Sequence, residues 1–199
     1  IVAAMADSPN VCRQLHLPLQ SGDDDVLARM GRGYDTAHYT GVVRSLREAM
    51  PGIELSTDIL VGFPGETAAA FERTMGIMEE IAFDYAFLFR FSPRSGTAAA
   101  GMSDQIPETE RLRRLSLVQE LQRALTLESS RALIGSTVRV LVTGPSPKGG
   151  SQQAGRTEGN RMVVLEGTSY APGELVDVEI TDADGWTHRG VPEAPGGEG

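Results

Sequence analysis

The spacing of apolar side chains in the first half of the chain alternates between strand-like and helix-like periods. Continuous apolar runs, typical of buried strands, cover residues 11–20, 53–63 and 84–91. A brief helix over residues 23–30 follows the first run, and Tyr39, Val43 and Leu46 mark a second helix. Because strands hand over to helices through polar turns, the pattern predicts an α/β fold with parallel strands.

The second half of the chain changes to short strands. Pro107, with Glu108 and Glu110 behind it, starts a longer helix whose apolar positions run to Leu125. Five short strands then predict a small antiparallel barrel of the kind that binds oligonucleotides. They cover residues 137–143, 153–157, 161–165, 175–181 and 186–190. Residues 192–199, rich in glycine, proline and glutamate, are expected to form a disordered tail.

Charge distinguishes the start of the predicted barrel from the rest of the chain. The 199 residues carry 18 Lys and Arg against 27 Asp and Glu, and the net charge of −9 argues against RNA binding by bulk charge. Residues 131–162 are the exception, because they hold five basic residues and only one acid, Glu158. The basic residues are Arg131, Arg139, Lys148, Arg156 and Arg161. Such a basic segment favours nucleic-acid binding over a merely solvated face.

Cysteine usage and hydropathy narrow the class of protein. Cys12 is the one cysteine, so this chain by itself forms no internal disulfide and no iron–sulfur cluster held by three or four thiolates. We interpret it as an ordinary buried thiol. No apolar stretch reaches the length of a membrane span, so we expect a cytoplasmic protein without a membrane partner. The chain opens on Ile1 in a segment that resembles the back of a helix, and we expect a fragment.

Polar side chains gather where the three predicted strands end. The groups are His16, Gln20 and Ser21, then Ser56 and Asp58 before the loop 62–67, then Ser92, Arg94 and Thr97. At the mouth of a parallel barrel they would line one pocket. Taken singly, the loop is equally compatible with a plain strand-to-helix turn that Glu66 and Thr67 cap. The aromatic residues between 83 and 91 are interpreted as a packed strand.

Other chemistries find little support. His16, His38 and His188 are expected to be structural or on the surface, because no second ligand stands at metal spacing. Gly65 is followed by Glu66 rather than by the lysine of a phosphate-binding P-loop. A hydrolase would need a nucleophile beside a base, and no serine lies in a nucleophile-elbow motif.

Four stretches, in this order, resemble the radical S-adenosylmethionine methylthiotransferase family. They are HLPLQSG at 16–22, VLARMGR at 26–32, TDILVGFPGET at 57–67 and FSPRSGT at 91–97. Residues 134–190 resemble the TRAM domain of that family, most recognisably in GRTEGNR at 155–161. The resemblance implies the C-terminal part of a radical SAM barrel, a partial TIM-like barrel, over residues 1–132 and an OB-like TRAM barrel over residues 133–191.

The resemblance also implies a reaction and its cofactors. Members carry two 4Fe–4S clusters: one, on a CxxxCxxC motif, cleaves S-adenosylmethionine to a radical, and the other, on three N-terminal cysteines, delivers methylated sulfur. The GRTEGNR stretch is closest to members that methylthiolate C2 of isopentenyladenosine next to the tRNA anticodon, with a flavodoxin-like electron donor. Because those cysteines are missing from this chain, we expect no metal ligand and no independent catalysis from it. Threonylcarbamoyladenosine or a ribosomal-protein aspartate as substrate, and an RNA-binding role without catalysis, stay open as alternatives.

The motifs also imply site residues. For the S-adenosylmethionine site these are Gln20, Ser21, Arg32, Asp58, Gly62, Phe63, Gly65, Glu66 and Arg94. Polar groups would hold the ribose and methionine ends, while the two arginines suit the methionine carboxylate or an RNA phosphate, with a surface ion pair as the alternative. For tRNA they are Arg139, Lys148, Arg156, Thr157, Asn160 and Arg161. Folds of this kind reach single-stranded loops.

Overall fold

The chain folds into two compact units. The computed structural model describes residues 1–146, 152–167 and 169–193. Residues 1–9 and 15–125 form the first unit, and residues 10–14 together with the chain from 126 onward form the second. The first unit is built on a three-stranded sheet and the second on a closed β-barrel.

The first unit alternates strands and helices as the hydrophobic pattern predicts. Its sheet has the order β1-β2-β3, and β2 and β3 run parallel with Ser56 opposite Tyr85 and Val61 opposite Arg90. The elements are α1 Val2–Ala6, β1 Gln14–His16, α2 Asp24–Arg29, α3 Thr36–Ala49, β2 Glu54–Val61, α4 Ala68–Ile81, β3 Tyr85–Arg90, a short 3-10 helix Ala98–Gly101 and α5 Glu108–Arg131. Helix α5 continues into the second unit, six residues beyond its predicted apolar end.

Side-chain caps start three of these helices. Asp23, Asp35 and Thr67 each accept a hydrogen bond from the backbone N–H three residues further on. These bonds satisfy N–H groups that have no partner inside the helix. Thr67 therefore caps α4 as predicted, whereas the side chain of Glu66 turns back to the N–H of Gly62.

Helices α3, α4 and α5 bury one face of the sheet. Ile59 on β2 and Leu19, which follows β1, pack there with Leu46, Phe71 and Met78, and each of these side chains is at most 2% exposed. Val118 on α5 belongs to the same core. Burying side chains of this size is the main favourable term in folding.

The first predicted strand is much shorter than the run 11–20 indicates. Pairing covers Gln14–His16 and returns only as an isolated bridge between Gln20 and Ile59. Pro18 lies between the two segments and has no N–H to donate to a neighbouring strand. Cys12 precedes the strand and is exposed, so its prediction as a buried thiol is wrong.

The second unit is a closed barrel of five strands in the order β4-β5-β6-β8-β7. The pairs are antiparallel except β6 with β8, which run parallel, so the predicted barrel is not antiparallel throughout. Alternate valine, leucine and isoleucine side chains, for example Val140, Val163 and Val178, fill its interior. The strands are β4 Thr137–Pro145, β5 Gln153–Thr157, β6 Met162–Leu165, β7 Leu175–Ala183 and β8 Thr187–Pro192.

The last strand of this unit extends into the segment that was predicted to be a disordered tail. Pro192 is the last residue of β8 and the N–H of Glu193 donates to the carbonyl of Asp177, so the expected tail does not begin at residue 192. Residues 194–199 lie outside the described part of the chain.

His188 is 1% exposed, and burial together with the cation of Arg161 lowers its pKa, which fits the structural role predicted for it.

Candidate functional site

The sheet of the first unit buries one face against helices α3, α4 and α5, and its second face is more exposed. Ser56 and Asp58 on β2 stand opposite Tyr85 and Phe87 on β3, and Phe89 continues the aromatic row. Phe87 and Phe89 keep 46% and 49% of their surface exposed. Parallel sheets are normally covered on both faces, so the exposed aromatic rings mark this face as a candidate contact surface. We call this surface, formed by His16, Ser56, Asp58, Tyr85, Phe87 and Phe89, the open face.

A histidine links the polar residues of the open face. The His16 ring lies 3.0 Å from Ser56 Oγ through Nδ1 and 3.5 Å from Asp58 Oδ1 through Nε2. A neutral ring that carries its proton on Nε2 satisfies both contacts, because the Ser56 hydroxyl can then donate to Nδ1. The edge of the ring also meets Phe87, with centroids 5.8 Å apart. The open face thus combines a carboxylate acceptor with aromatic surface, which are the groups that bind a nucleoside.

The turn after β1 is tied to the protein interior rather than turned toward a ligand. Gln20 adopts a left-handed backbone conformation, donates to the carbonyl of Asp58 and accepts from the N–H of Leu60. Ser21 is completely buried, and its Oγ accepts from the N–H of Asp23 at 3.3 Å. The structure therefore gives Ser21 a role in shaping the turn, although its motif implied a ligand contact.

The buried side chain of Glu66 holds the loop 62–67 from the interior of the first unit. This residue is 3% exposed, and its Oε2 accepts from the N–H of Gly62 at 2.6 Å and from Nη1 of Arg114 at 2.7 Å. Burial raises the pKa of Glu66 more than the hydrogen bonds from Arg114 and Gly62 lower it. The second carboxylate oxygen, Oε1, has no hydrogen-bond partner among the described residues. Glu66 therefore fixes the loop from inside the unit.

Arginines occupy the space above the two loop glycines. Gly62 and Gly65 both have positive φ, and a Cβ on Gly62 would lie only 3.1 Å from Cδ of Arg111. Arg29 packs over Gly65 and donates through Nη1 to the carbonyl of Pro64 at 2.7 Å and to Asp104 at 2.6 Å. These glycines admit arginine side chains, and no local pattern predicts this packing because the arginines lie on α2 and α5.

The remaining residues implied for the cofactor divide into core and surface. Phe63 is 7% exposed and packs edge-to-face on Phe91 with centroids 5.3 Å apart. Arg32 and Arg94 are exposed, and neither joins an ion pair within the described residues. The nine residues implied for the cofactor include two acids, Asp58 and Glu66. Of these two, Asp58 has its side chain on the open face, where it is 27% exposed.

The residues implied for tRNA contact stand in different parts of the barrel. Arg139 is exposed beside Asp177 at 3.2 Å, and Arg156 donates to the carbonyl of Asn160 at 2.9 Å. Thr157 Oγ1 accepts from the N–H of Arg161 at 3.1 Å and so closes the turn between β5 and β6. Lys148 lies outside the described residues.

The Arg161 side chain is directed to the end of α5 within the second unit. Its Nη2 donates to Ser129 Oγ at 2.7 Å and its Nη1 to Ser130 Oγ at 3.0 Å. A cation is stabilised at a helix C-terminus by the helix dipole. Arg161 is therefore part of the attachment of the β5–β6 turn, while Arg156 and Arg139 stay at the surface.

The described residues contain neither a cluster of metal-ligating side chains nor a membrane-spanning helix. No group of three or more His, Cys, Asp or Glu side chains there could hold a metal ion. Within the same ranges, no helix combines the length and the apolar character needed to cross a membrane.

Comparison with known proteins defines the class of each unit. Residues 1–77 match the model of the radical SAM superfamily, and residues 131–192 match that of the TRAM domain. A tRNA-2-methylthio-N(6)-dimethylallyladenosine synthase from Salmonella arizonae is 46% identical over 92% of this chain and 38% of its own length. Synthases of the same name from Moorella thermoacetica and Methylacidiphilum infernorum are 42% and 40% identical, over 96% of this chain.

These matches establish a protein that joins a radical SAM segment to a TRAM domain. Over 92–96% of its length the chain is similar to these tRNA-2-methylthio-N(6)-dimethylallyladenosine synthases. It spans about two fifths of the length of the curated relatives that it matches, 38%, 43% and 41% respectively. Among solved structures, the chain is similar to coproporphyrinogen III oxidase from Escherichia coli, with a TM-score of 0.49 and 14% identity over 72% of this chain and 38% of that one.

Proposed function

We propose that this chain serves the methylthiolation of C2 of isopentenyladenosine next to the tRNA anticodon. The single observation that carries the proposal is the 46% identity to a synthase of that name across both units. The open face would take part in the S-adenosylmethionine site, and the barrel would bind tRNA. The chain holds one cysteine, so residues outside it would supply the thiolates of the two 4Fe–4S clusters.

The open face fits the adenosyl part of S-adenosylmethionine. The partly exposed Asp58 carboxylate offers acceptors for ribose hydroxyls, and Phe87 offers a ring surface for adenine. Gln20 is bridged to Ile59 of β2, and the loop with Gly62 and Gly65 directly follows that strand. The exposed Arg32 and Arg94 offer forked donors for the methionine carboxylate. Ser21, Phe63 and Glu66 would act from behind by keeping the loop in place. When bound, S-adenosylmethionine supplies the radical chemistry of the family.

The barrel would hold the tRNA through exposed cations. Arg156 uses one of its N–H donors on Asn160, and the others are available for phosphate oxygens, which arginine forks match. Arg139, Lys148, Thr157 and Asn160 would add contacts, while Arg161 would orient the turn that carries them. A cytoplasmic location and a flavodoxin-like electron donor complete the proposal.

Nucleoside mass spectrometry tests the substrate. We expect tRNA from a strain that lacks the gene encoding these residues to keep isopentenyladenosine without its methylthio group, and complementation with the gene to restore it. A deletion strain with normal methylthio-isopentenyladenosine would contradict the assignment. If methylthiolation disappears instead from threonylcarbamoyladenosine or from a ribosomal-protein aspartate, the chemistry stands and the substrate is another.

Removing one cation tests the tRNA surface. For Arg156→Ala we expect the chain to bind a tRNA anticodon hairpin more weakly and the dependence of log K on log salt concentration to become shallower by about one. Arg189→Ala is the matched control, because this residue also carries one positive charge on the barrel but stands beside Glu166. The two affinities and salt slopes are measured by fluorescence anisotropy with labelled RNA. Equal effects of both substitutions would show that only net charge matters.

A further inference from the structure

Trp186 is a large aromatic residue that neither the site described above nor the motifs account for. It is the one tryptophan of the chain, and 61% of its surface is exposed at the start of β8. Exposing this much of an indole forgoes the stabilisation that its burial would bring. An exposed aromatic ring on a barrel that carries surface cations resembles the stacking platforms of proteins that bind single-stranded RNA.

The turn that carries Trp186 is fixed by hydrogen bonds. Asp184 Oδ1 accepts from the N–H of Trp186 at 3.1 Å and from the N–H of Thr187 at 2.8 Å. Ser130 Oγ donates to the carbonyl of Gly185 at 3.0 Å, which joins the turn to the end of α5 within the same unit. The backbone that holds the indole is therefore ordered before any ligand arrives, so less entropy is lost on binding.

Strand pairing places this turn near the cations of the barrel. Arg156, Met162 and Thr187 form one row across β5, β6 and β8. Two strand spacings separate the ends of the row, which is about 10 Å between backbones. Trp186 directly precedes Thr187, so neighbouring nucleotides of one RNA strand can reach both the indole and the Arg156 guanidinium.

We propose that Trp186 is a base-stacking residue of the tRNA-binding surface. An unpaired base of the anticodon loop lies on the indole while Arg156 binds a phosphate of the same strand. The inference rests on the proposed tRNA binding of the barrel and adds a residue that contacts a base. Two cations next to this turn select RNA as the occupant: Arg156 lies in the row that ends at Thr187, and Arg161 contacts Ser130, whose hydroxyl donates to Gly185.

Tryptophan emission gives a direct readout, because Trp186 is the one tryptophan of the chain. We expect titration of the 199-residue chain with a tRNA anticodon hairpin to quench its emission in a saturable way. Trp186→Ala is expected to weaken binding about 5- to 100-fold, and Trp186→Phe less, because phenylalanine keeps a ring for stacking. Leu175→Ala is the matched control, since Leu175 is 64% exposed on the same barrel and has no ring; its affinity should equal that of the original chain.

The outcomes separate this inference from the proposed function. If the hairpin binds with Arg156-dependent, salt-sensitive affinity but leaves the emission and the Trp186→Ala affinity unchanged, the stacking role is overturned and the tRNA surface stands. If the original chain binds no hairpin even at low salt, both are overturned. An emission that changes with the concentration of the chain in the absence of RNA would show that the indole packs on a second copy, and would also overturn the stacking role. Circular dichroism of each variant verifies that the barrel is intact.

Discussion

Replacing Glu66 by alanine should lower the free energy of unfolding of the chain by about 3–5 kcal/mol. The substitution leaves Arg114, whose side chain is 7% exposed, without its buried partner and leaves the N–H of Gly62 without its acceptor. Glu110 still contacts Nε of Arg114 at 2.8 Å, but it is itself 30% exposed and does not reach the loop. Urea denaturation followed by circular dichroism measures the loss.

An exposed ion pair of the same unit provides the control for Glu66. Asp104 pairs with Arg29 at 2.6 Å, with both side chains about two fifths exposed, so Asp104→Ala should lower the free energy of unfolding far less than Glu66→Ala. Glu66→Gln should fall between the two, because it keeps an acceptor for Gly62 but removes the charge that faces Arg114. Equal losses for Glu66→Ala and Asp104→Ala would refute the view that the loop depends on its buried carboxylate.

Replacing Asp58 by asparagine should weaken S-adenosylmethionine binding about 10- to 100-fold, the loss expected for hydrogen bonds to a charged acceptor. Asparagine has nearly the same shape, so the packing beside His16 and Phe87 should survive and the thermal midpoint should not change. The measurement is equilibrium dialysis of labelled S-adenosylmethionine against the complete gene product with its clusters in place.

The control for Asp58 is a carboxylate of the same unit that lies away from the open face. Asp25 is exposed on α2, and Asp25→Asn changes the net charge by the same amount. Its cofactor affinity should equal that of the original protein. An Asp58→Asn protein with unchanged affinity would contradict the cofactor role of the open face.

Local patterns in the sequence identified most of the elements. Helix α3 follows from apolar side chains at helical spacing and the start of α4 from the cap Thr67, because both signals act within a few neighbouring residues. The barrel strands were likewise visible as short apolar runs between turns. The errors lie where pairing partners are remote in sequence, as for the short β1 and for the parallel β6–β8 pair.

Only part of the candidate site could be predicted from the sequence. Asp58 and the exposed arginines lie where a ligand can reach them, but the side chains of Ser21 and Glu66 point into the protein. No sequence pattern near Glu66 predicts its ion pair with Arg114, which lies 48 residues further along the chain on α5. The aromatic run was interpreted as a packed strand, whereas Phe87 and Phe89 keep about half of their surface exposed.

The sequence by itself determined the α/β unit, the barrel, the family resemblance and the residues that carry it, because these depend on local periodicity and on ordered motifs. Only the tertiary structure decided which motif residues are exposed and which are buried, and it added Arg114 and Trp186 to the residues on which the proposals and predictions depend. The physical reason is that side-chain direction, burial and ion pairing arise when distant segments pack, and a linear pattern does not contain that information.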